Sequence, residues 1–225
     1  MDHHPLILRR DGYLCGIRAN HDTGDDLLAA VNHFALRPLT LDEIAVFTLD
    51  LCNNAIDRHH SRFPEDELET INRLIVGRPL MERHDLRGSL PRGTFFRSRL
   101  HRDGDRLSVR PDVYVLRTPE NQEFIRNIEG GVYRDTSIGF AFTTPECSLC
   151  GKHLNTCGHV PGRDYDGVTC HFLLRGVVDV FEGSVVSCGS QGTQFVAQAR
   201  HNVPAPAFST FFPSHTAPGK IWATE

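Results

Sequence analysis

No apolar run in the chain approaches the ~20 residues that a membrane-spanning helix needs. The first 18 residues also lack the long apolar core of a secretory leader. These two absences set the expectation of a protein that meets no membrane and is cytoplasmic in the cell that makes it. No segment repeats, which sets aside solenoids and propellers. Charge of one sign is not in excess: 24 Lys and Arg face 28 Asp and Glu, a net −4, with both signs interspersed. The basic footprint of a nucleic-acid binder is therefore missing, and no nucleic-acid partner is expected. An even cysteine count is missing too, since there are seven. An odd set in a reducing compartment argues against a disulfide framework.

What is present suits one domain carrying an inserted module. The chain has 225 residues, of which 40% are hydrophobic and 23% charged, enough to bury a real core. Leu6-Ile7-Leu8 and the turn signal Asp11-Gly12 predict a hairpin over 5–18. Leu27, Leu28, Val31, Phe34 and Ala35 recur at helical spacing and predict a helix over 23–36. Residues 44–51 read as an apolar strand. Residues 64–75 read as a helix, because Pro64 suits a first turn, Glu65, Asp66 and Glu67 follow it, and Leu68, Ile71, Leu74 and Ile75 form a stripe. A second such helix is predicted over 119–128, with Thr118 as its cap. Strands are predicted over 80–82, 107–116, 132–143, 168–174 and 177–186. The arginines at 87, 92, 97, 99, 102 and 106 read as a solvated hairpin, with a docking surface for an acidic partner as the sharper option. From Val203 onward, repeated Pro and Phe without a period predict a flexible tail. The expected organisation is an N-terminal hairpin and helix over 1–40, a main domain over 41–200 with an insert at 145–171, and the tail over 201–225. Many strands with a few separate helices predict an α+β class with a β-barrel-like core.

Three of the cysteines lie within eleven positions. Cys147 and Cys150 have C-x2-C spacing, and Cys157 and His159 follow as C-x-H. Two thiolates at knuckle spacing can bind one ion from a tight turn, and a mixed Cys/His set suits zinc. The expected ligands are Cys147, Cys150, Cys157 and His159, with Cys170, His171 and His153 as alternates. Four protein ligands close the coordination sphere, so the zinc is expected to be structural.

A second constellation concerns catalysis. His84-Asp85 follows Val76-Gly77-Arg78-Pro79-Leu80; Ser137 lies in Thr136-Ser137-Ile138-Gly139-Phe140; Glu182 opens Glu182-Gly183-Ser184-Val185-Val186. These supply the imidazole, hydroxyl and carboxylate of a serine hydrolase, in which a base must take the proton of an otherwise poor nucleophile. Chain order does not identify such a triad. His59, His60 and His153 are rival bases, and Asp85 and Asp179 are rival carboxylates.

The wording around these residues resembles the head-maturation (prohead) proteases of tailed bacteriophages. That family shows a Gly-Lys/Arg-Pro-apolar segment ending in His-Asp, matched by 77–85, and a Ser-Ile/Val-Gly-Phe strand, matched by 137–140. Its third block, of the type Glu-Val-Ser-Leu-Val, is matched by 182–186 with Gly183 in place of an apolar residue. The resemblance covers roughly residues 40–190. It implies a fold like the herpesvirus assembly protease, a β-barrel surrounded by helices. It implies Ser137 as nucleophile, His84 as general base and Glu182 as the group orienting His84. It also implies phage capsid and scaffold proteins as partners inside an assembling prohead, with self-association as a further expectation. The oxyanion hole is expected from backbone N–H groups, with the arginine-rich segment after His84 as a candidate source. The alternative is a retired protease fold serving as a zinc-containing virion structural protein.

Overall fold

A computed structural model describes residues 24–196. The predicted hairpin over 5–18 and the tail over 201–225 lie outside the described residues.

The elements follow the sequence in order. Helix α1 (Gly24–Asn32) leads into strands β1 (Ile44–Thr48), β2 (Cys52–Asn53) and β3 (Ser61–Arg62). Helix α2 (Glu65–Leu74), strands β4 (Pro79–Glu82), β5 (Gly93–Asp103) and β6 (Arg106–Leu116), and helix α3 (Gln122–Glu129) come next. Strand β7 (Asp135–Cys147), the short pair β8 (Asp164–Tyr165) and β9 (Val168–Thr169), and the long strand β10 (Phe172–Val186) complete the described chain. Eight strands form one sheet in the order β1-β6-β5-β4-β10-β3, with β2 added on β6 and β7 on β10, while β8 and β9 pair with each other. The class is α+β, as expected. The sheet does not close into a barrel: among the described residues no ladder joins β1 to β7 or β3. Residues 194–195 come closest to bridging the gap, through isolated pairings of Leu49 with Phe195 and Asp135 with Gln194.

Local chemistry explains the elements that carry the site. Pro64 caps α2 with φ −61°, and three acids in the first turn oppose the positive end of the helix dipole. Its stripe is buried at Leu68, Ile71 and Ile75, all 0% exposed. Each such side chain contributes about 1.5–3 kcal/mol by leaving water. Gly77 ends the approach to β4 at φ +85°, a left-handed conformation in which a Cβ would also press on Phe34. The main core gathers Leu51, Phe63, Leu80, Phe95, Val109, Val113, Phe124 and Ile125; a smaller cluster joins Leu27 and Val31 of α1 to Ile44, Phe96 and Tyr114.

Several boundaries differ from the sequence reading. The helix predicted over 23–36 ends at Asn32, because the Asn32 side chain turns to bond Leu39 through both its oxygen and its nitrogen. The helix predicted from Pro119 starts with a 3-10 turn over Pro119–Asn121, and Thr118 makes no side-chain cap bond. The two strands predicted over 168–174 and 177–186 are mostly one strand, β10, which continues through register shifts near Val178 and Phe181. The Glu67 carboxylate accepts the N–H groups of Gly176 and Val177 at 2.6 and 2.9 Å and holds the first irregular stretch in place. The arginine-rich block is a hairpin, β5–β6, but it is not merely solvated. Arg97 and Arg99 both bond the carboxylate of Asp112, which is 1% exposed, and Thr48 also donates to it. An acid that deep is retained because it is paired and hydrogen-bonded.

Candidate active site and metal centre

Three adjacent strands bring the catalytic candidates together. Strand β10 runs parallel to β4 on one side, with Ser184 opposite Met81, and antiparallel to β7 on the other, with Ser184 opposite Ser137 and Glu182 opposite Gly139. Side chains alternate along a strand, so Glu182 and Ser184 share one face of β10. Directly paired residues share a face as well, which puts Ser137 on that side. His84 follows the end of β4 by two residues. Its Nδ1 lies 2.6 Å from Oε1 of Glu182, whose side chain is 1% exposed, while the His84 side chain is 40% exposed. A carboxylate on Nδ1 fixes the tautomer that leaves Nε2 free to act as a base.

Space for this contact is made by a glycine. A Cβ on Gly139 would fall on Oε1 of Glu182. Gly183, the departure in the third motif, has a packing reason: a Cβ there would meet the Phe95 ring at 2.6 and 2.8 Å and Leu51 at 3.0 Å. The apolar side chain expected at that position is supplied from β5 instead.

Four of the five rival residues are engaged elsewhere, while His59 shares a cavity with Ser137. Asp179 pairs with Arg78 at 2.6 Å, and Asp85 folds back to accept the N–H groups of Arg87 and Gly88. His153 caps the 3-10 turn over Leu154–Thr156, and the His60 ring lies against Gly162. His59 lines a cavity of about 180 Å³ together with Leu51, Phe63, Ser137, Ile138 and Phe140. No described residue hydrogen-bonds the Ser137 hydroxyl or Nε2 of His84. The structure thus brings His84 and Glu182 into contact and sets Ser137 on the neighbouring strand, without a Ser137–His84 bond. Catalytic hydrogen bonds of this kind often tighten only when substrate binds.

The first residues of the arginine-rich segment after His84 offer no free donor for an oxyanion hole. The N–H groups from Arg83 to Gly88 are all committed: to Val185, to the Ser184 hydroxyl, to Glu82, to His84 and twice to Asp85. A different backbone group is better placed. Thr136 turns both its N–H and its C=O away from β10, towards Thr193. By the alternation of an antiparallel ladder, Ile138 presents its N–H and C=O on that same outer edge. No described strand pairs with β7 there.

Ser184 is the residue that sequence reasoning missed. It was visible only as a letter within a motif, and nothing in the sequence distinguished its hydroxyl from those of other strand serines.

The metal candidates also converge. One donor atom from each of Cys147, Cys150, Cys157 and His159 lies within 4.8 Å of every other. The Cys150–Cys157 sulfurs are 3.4 Å apart, and Nδ1 of His159 is 3.6 Å from Cys147 and 3.3 Å from Cys157. Donors around a tetrahedral zinc with ~2.3 Å zinc–sulfur bonds would be about 3.7 Å apart, so the set fits such an ion. Backbone N–H groups of Leu149 and His159 point at the Cys147 and Cys157 sulfurs, an arrangement that favours thiolates. Burial opposes charge on Cys147, yet the N–H groups of Leu149 and Cys150 and the neighbouring thiols outweigh it, holding its pKa at about 6. Cys157 is pushed up to about 11: the His159 N–H favours its thiolate, but burial and the Cys150 and Cys147 sulfurs prevail. Among the alternates, Cys170 stands 3.9 Å from Cys147, and His171 keeps a buried Nδ1 without a partner. Compared with protein-family models, curated proteins and solved structures, the chain matches none.

Proposed function

We propose that this protein is a serine endopeptidase of the phage head-maturation type. Ser137 attacks the scissile carbonyl, His84 moves the proton, and Glu182 holds the imidazole and balances its charge. The observation that carries this reading is the 2.6 Å contact between His84 Nδ1 and a buried Glu182, on the strand paired directly with that of Ser137. A buried carboxylate on one imidazole nitrogen is what a general base needs. The outer edge of β7 supports a peptide substrate, since an extended segment can add to it as a strand. The Ile138 N–H on that edge lies next to the nucleophile and would serve the tetrahedral oxyanion.

Its substrates on this reading are scaffold and capsid-protein segments in a prohead within the host cytoplasm, and the fold is a relative of the herpesvirus assembly protease. The Cys/His cluster holds zinc through Cys147, Cys150, Cys157 and His159. Bound zinc contributes a structural clip, with no open position for catalysis. The rival reading is a retired fold acting as a virion structural protein, for which the departure at Gly183 from the third motif would be the sequence sign. That residue has its own packing reason against Phe95, so it is not in itself a mark of lost catalysis.

The test is co-expression with the cognate capsid and scaffold proteins, comparing wild type with Ser137→Ala by intact mass. Defined cleavage products that vanish in Ser137→Ala are expected. Identical intact masses in both, with the protein held on the shell, would replace the protease reading by the structural one.

A further inference from the structure

The backbone that carries His84 is held in an unfavourable conformation. Arg83 and His84 have φ of 57° and 59°, two consecutive non-glycine residues in the left-handed region. Such a pair persists only where surrounding bonds over-determine it. Both bonds come from β10. The Arg83 N–H donates to the Val185 carbonyl at 2.9 Å, and the His84 N–H donates to the Ser184 hydroxyl at 3.1 Å.

The same hydroxyl has a second task. Its proton is donated to Oε2 of Glu182 at 2.5 Å, while Oε1 of that carboxylate faces His84. Ser184 is 0% exposed and Glu182 1% exposed, so water does not substitute for either bond. We infer that Ser184 is a positioning residue, one hydroxyl that fixes both the main chain of the base and the carboxylate that orients it. The inference rests on the proposed protease reading for its catalytic meaning, but the clamp itself can be tested apart from activity.

The geometry explains why a serine serves here. A hydroxyl offers one proton and lone pairs on a single atom, so it can give to Glu182 and receive from His84 at once. Alternation along β10 places it on the same face as Glu182, two residues away. Alanine would leave the His84 N–H and Oε2 of Glu182 without these partners. Threonine would keep both bonds at the cost of one extra methyl.

The experiment uses the full chain with its metal, as wild type, Ser184→Ala and Ser184→Thr. Two readouts are taken: the far-downfield proton resonance of the His84 Nδ1–H, assigned by its loss in His84→Gln, and the rate at which a fluorophosphonate probe labels Ser137. Ser184→Ala is expected to shift or broaden the resonance and to slow labelling about 10- to 100-fold, with thermal unfolding still cooperative. Ser184→Thr is expected to restore both. An unchanged resonance and labelling rate in folded Ser184→Ala would overturn the inference. If Ser184→Ala does not fold, loss of the resonance in folded Ser184→Cys, whose thiol is a poor acceptor and donor, supports the clamp, and its retention overturns it. Absence of labelling in wild type would count against the protease reading instead, and the resonance alone would then decide whether Ser184 positions the pair.

Discussion

Gly139 stands directly opposite Glu182 across the β7–β10 ladder, and the Glu182 carboxylate fills the space that a side chain at 139 would need. The glycine of the Ser-Ile-Gly-Phe segment is thus part of the carboxylate's binding space as well as part of a strand. Gly139→Ala is expected to push Glu182 off His84 and to slow Ser137 chemistry about 10²-fold, because a base without its orienting partner loses the productive tautomer. Glu182→Gln should do the same while leaving the glycine in place. Rates of fluorophosphonate labelling at Ser137 measure both; wild-type rates in Gly139→Ala would refute the steric account.

Gly183→Val restores the apolar residue that the third motif resembles, and it should be harmful here. Its Cβ would overlap the Phe95 ring, and overpacking of a filled core costs about 1–3 kcal/mol. Phe95→Leu, made alone, should also destabilise by leaving a void. The double variant is expected to recover part of both losses, since the two sites share one volume. Thermal or urea unfolding of the four proteins gives the coupling; strict additivity would show that the two residues do not compete for space.

Removal of metal should act locally at first. The 147–171 segment has little apolar material of its own, and four donor atoms converge within it, so a bound ion would supply much of what holds it together. A chelator is expected to open 147–171 to proteolysis while the core around Phe95 and Ile71 stays folded. One equivalent of zinc per chain is expected from elemental analysis, falling away in Cys147→Ser. Loss of all protection across the sheet on chelation would assign the metal a global role instead.

At the entrance to β1, Arg37 and the Thr40 N–H hold the Glu43 carboxyl, in that order of effect, and lower its pKa from 4.5 to about 2. The folded form therefore binds a proton less readily than the unfolded chain. This contribution is complete above the ordinary carboxylate range and is lost as pH falls towards about 2. A third of the Glu43 side chain is exposed, so solvent screens the carboxylate and its influence is confined to the turn it closes. Carbon-detected NMR titration should place Glu43 well below the ordinary glutamate value, and Arg37→Ala should return it towards that value.

Local pattern carried much of this fold. The proline-started, acid-rich stripe of α2, the delivery of His84 by β4 and the β5–β6 hairpin were legible because each depends on neighbours within a few residues. The cysteine spacing was legible for the same reason: C-x2-C and C-x-H are short enough for a turn to bring their donors together. Pairing at long range was not. Nothing in the local sequence marked Val178 and Phe181 as irregularities that keep β10 continuous, or Asp112 as the buried anchor of Arg97 and Arg99. The commitment of every N–H from Arg83 to Gly88 was equally hidden, and with it the reason to look for an oxyanion donor elsewhere.

The sequence by itself determined the candidates: a histidine, a serine, a carboxylate and four metal donors, each with a local context that narrowed its chemistry. Tertiary structure alone decided which carboxylate meets His84, because Glu182 is 98 residues away and Asp85 only one. It also decided that Gly183 is filled by Phe95 and that Ser184 ties the base to its partner. The physical reason is register. A strand's side chains choose their neighbours through hydrogen-bonded pairing with distant strands, and a shift of β10 by one residue would turn Glu182 and Ser184 to the face opposite Ser137.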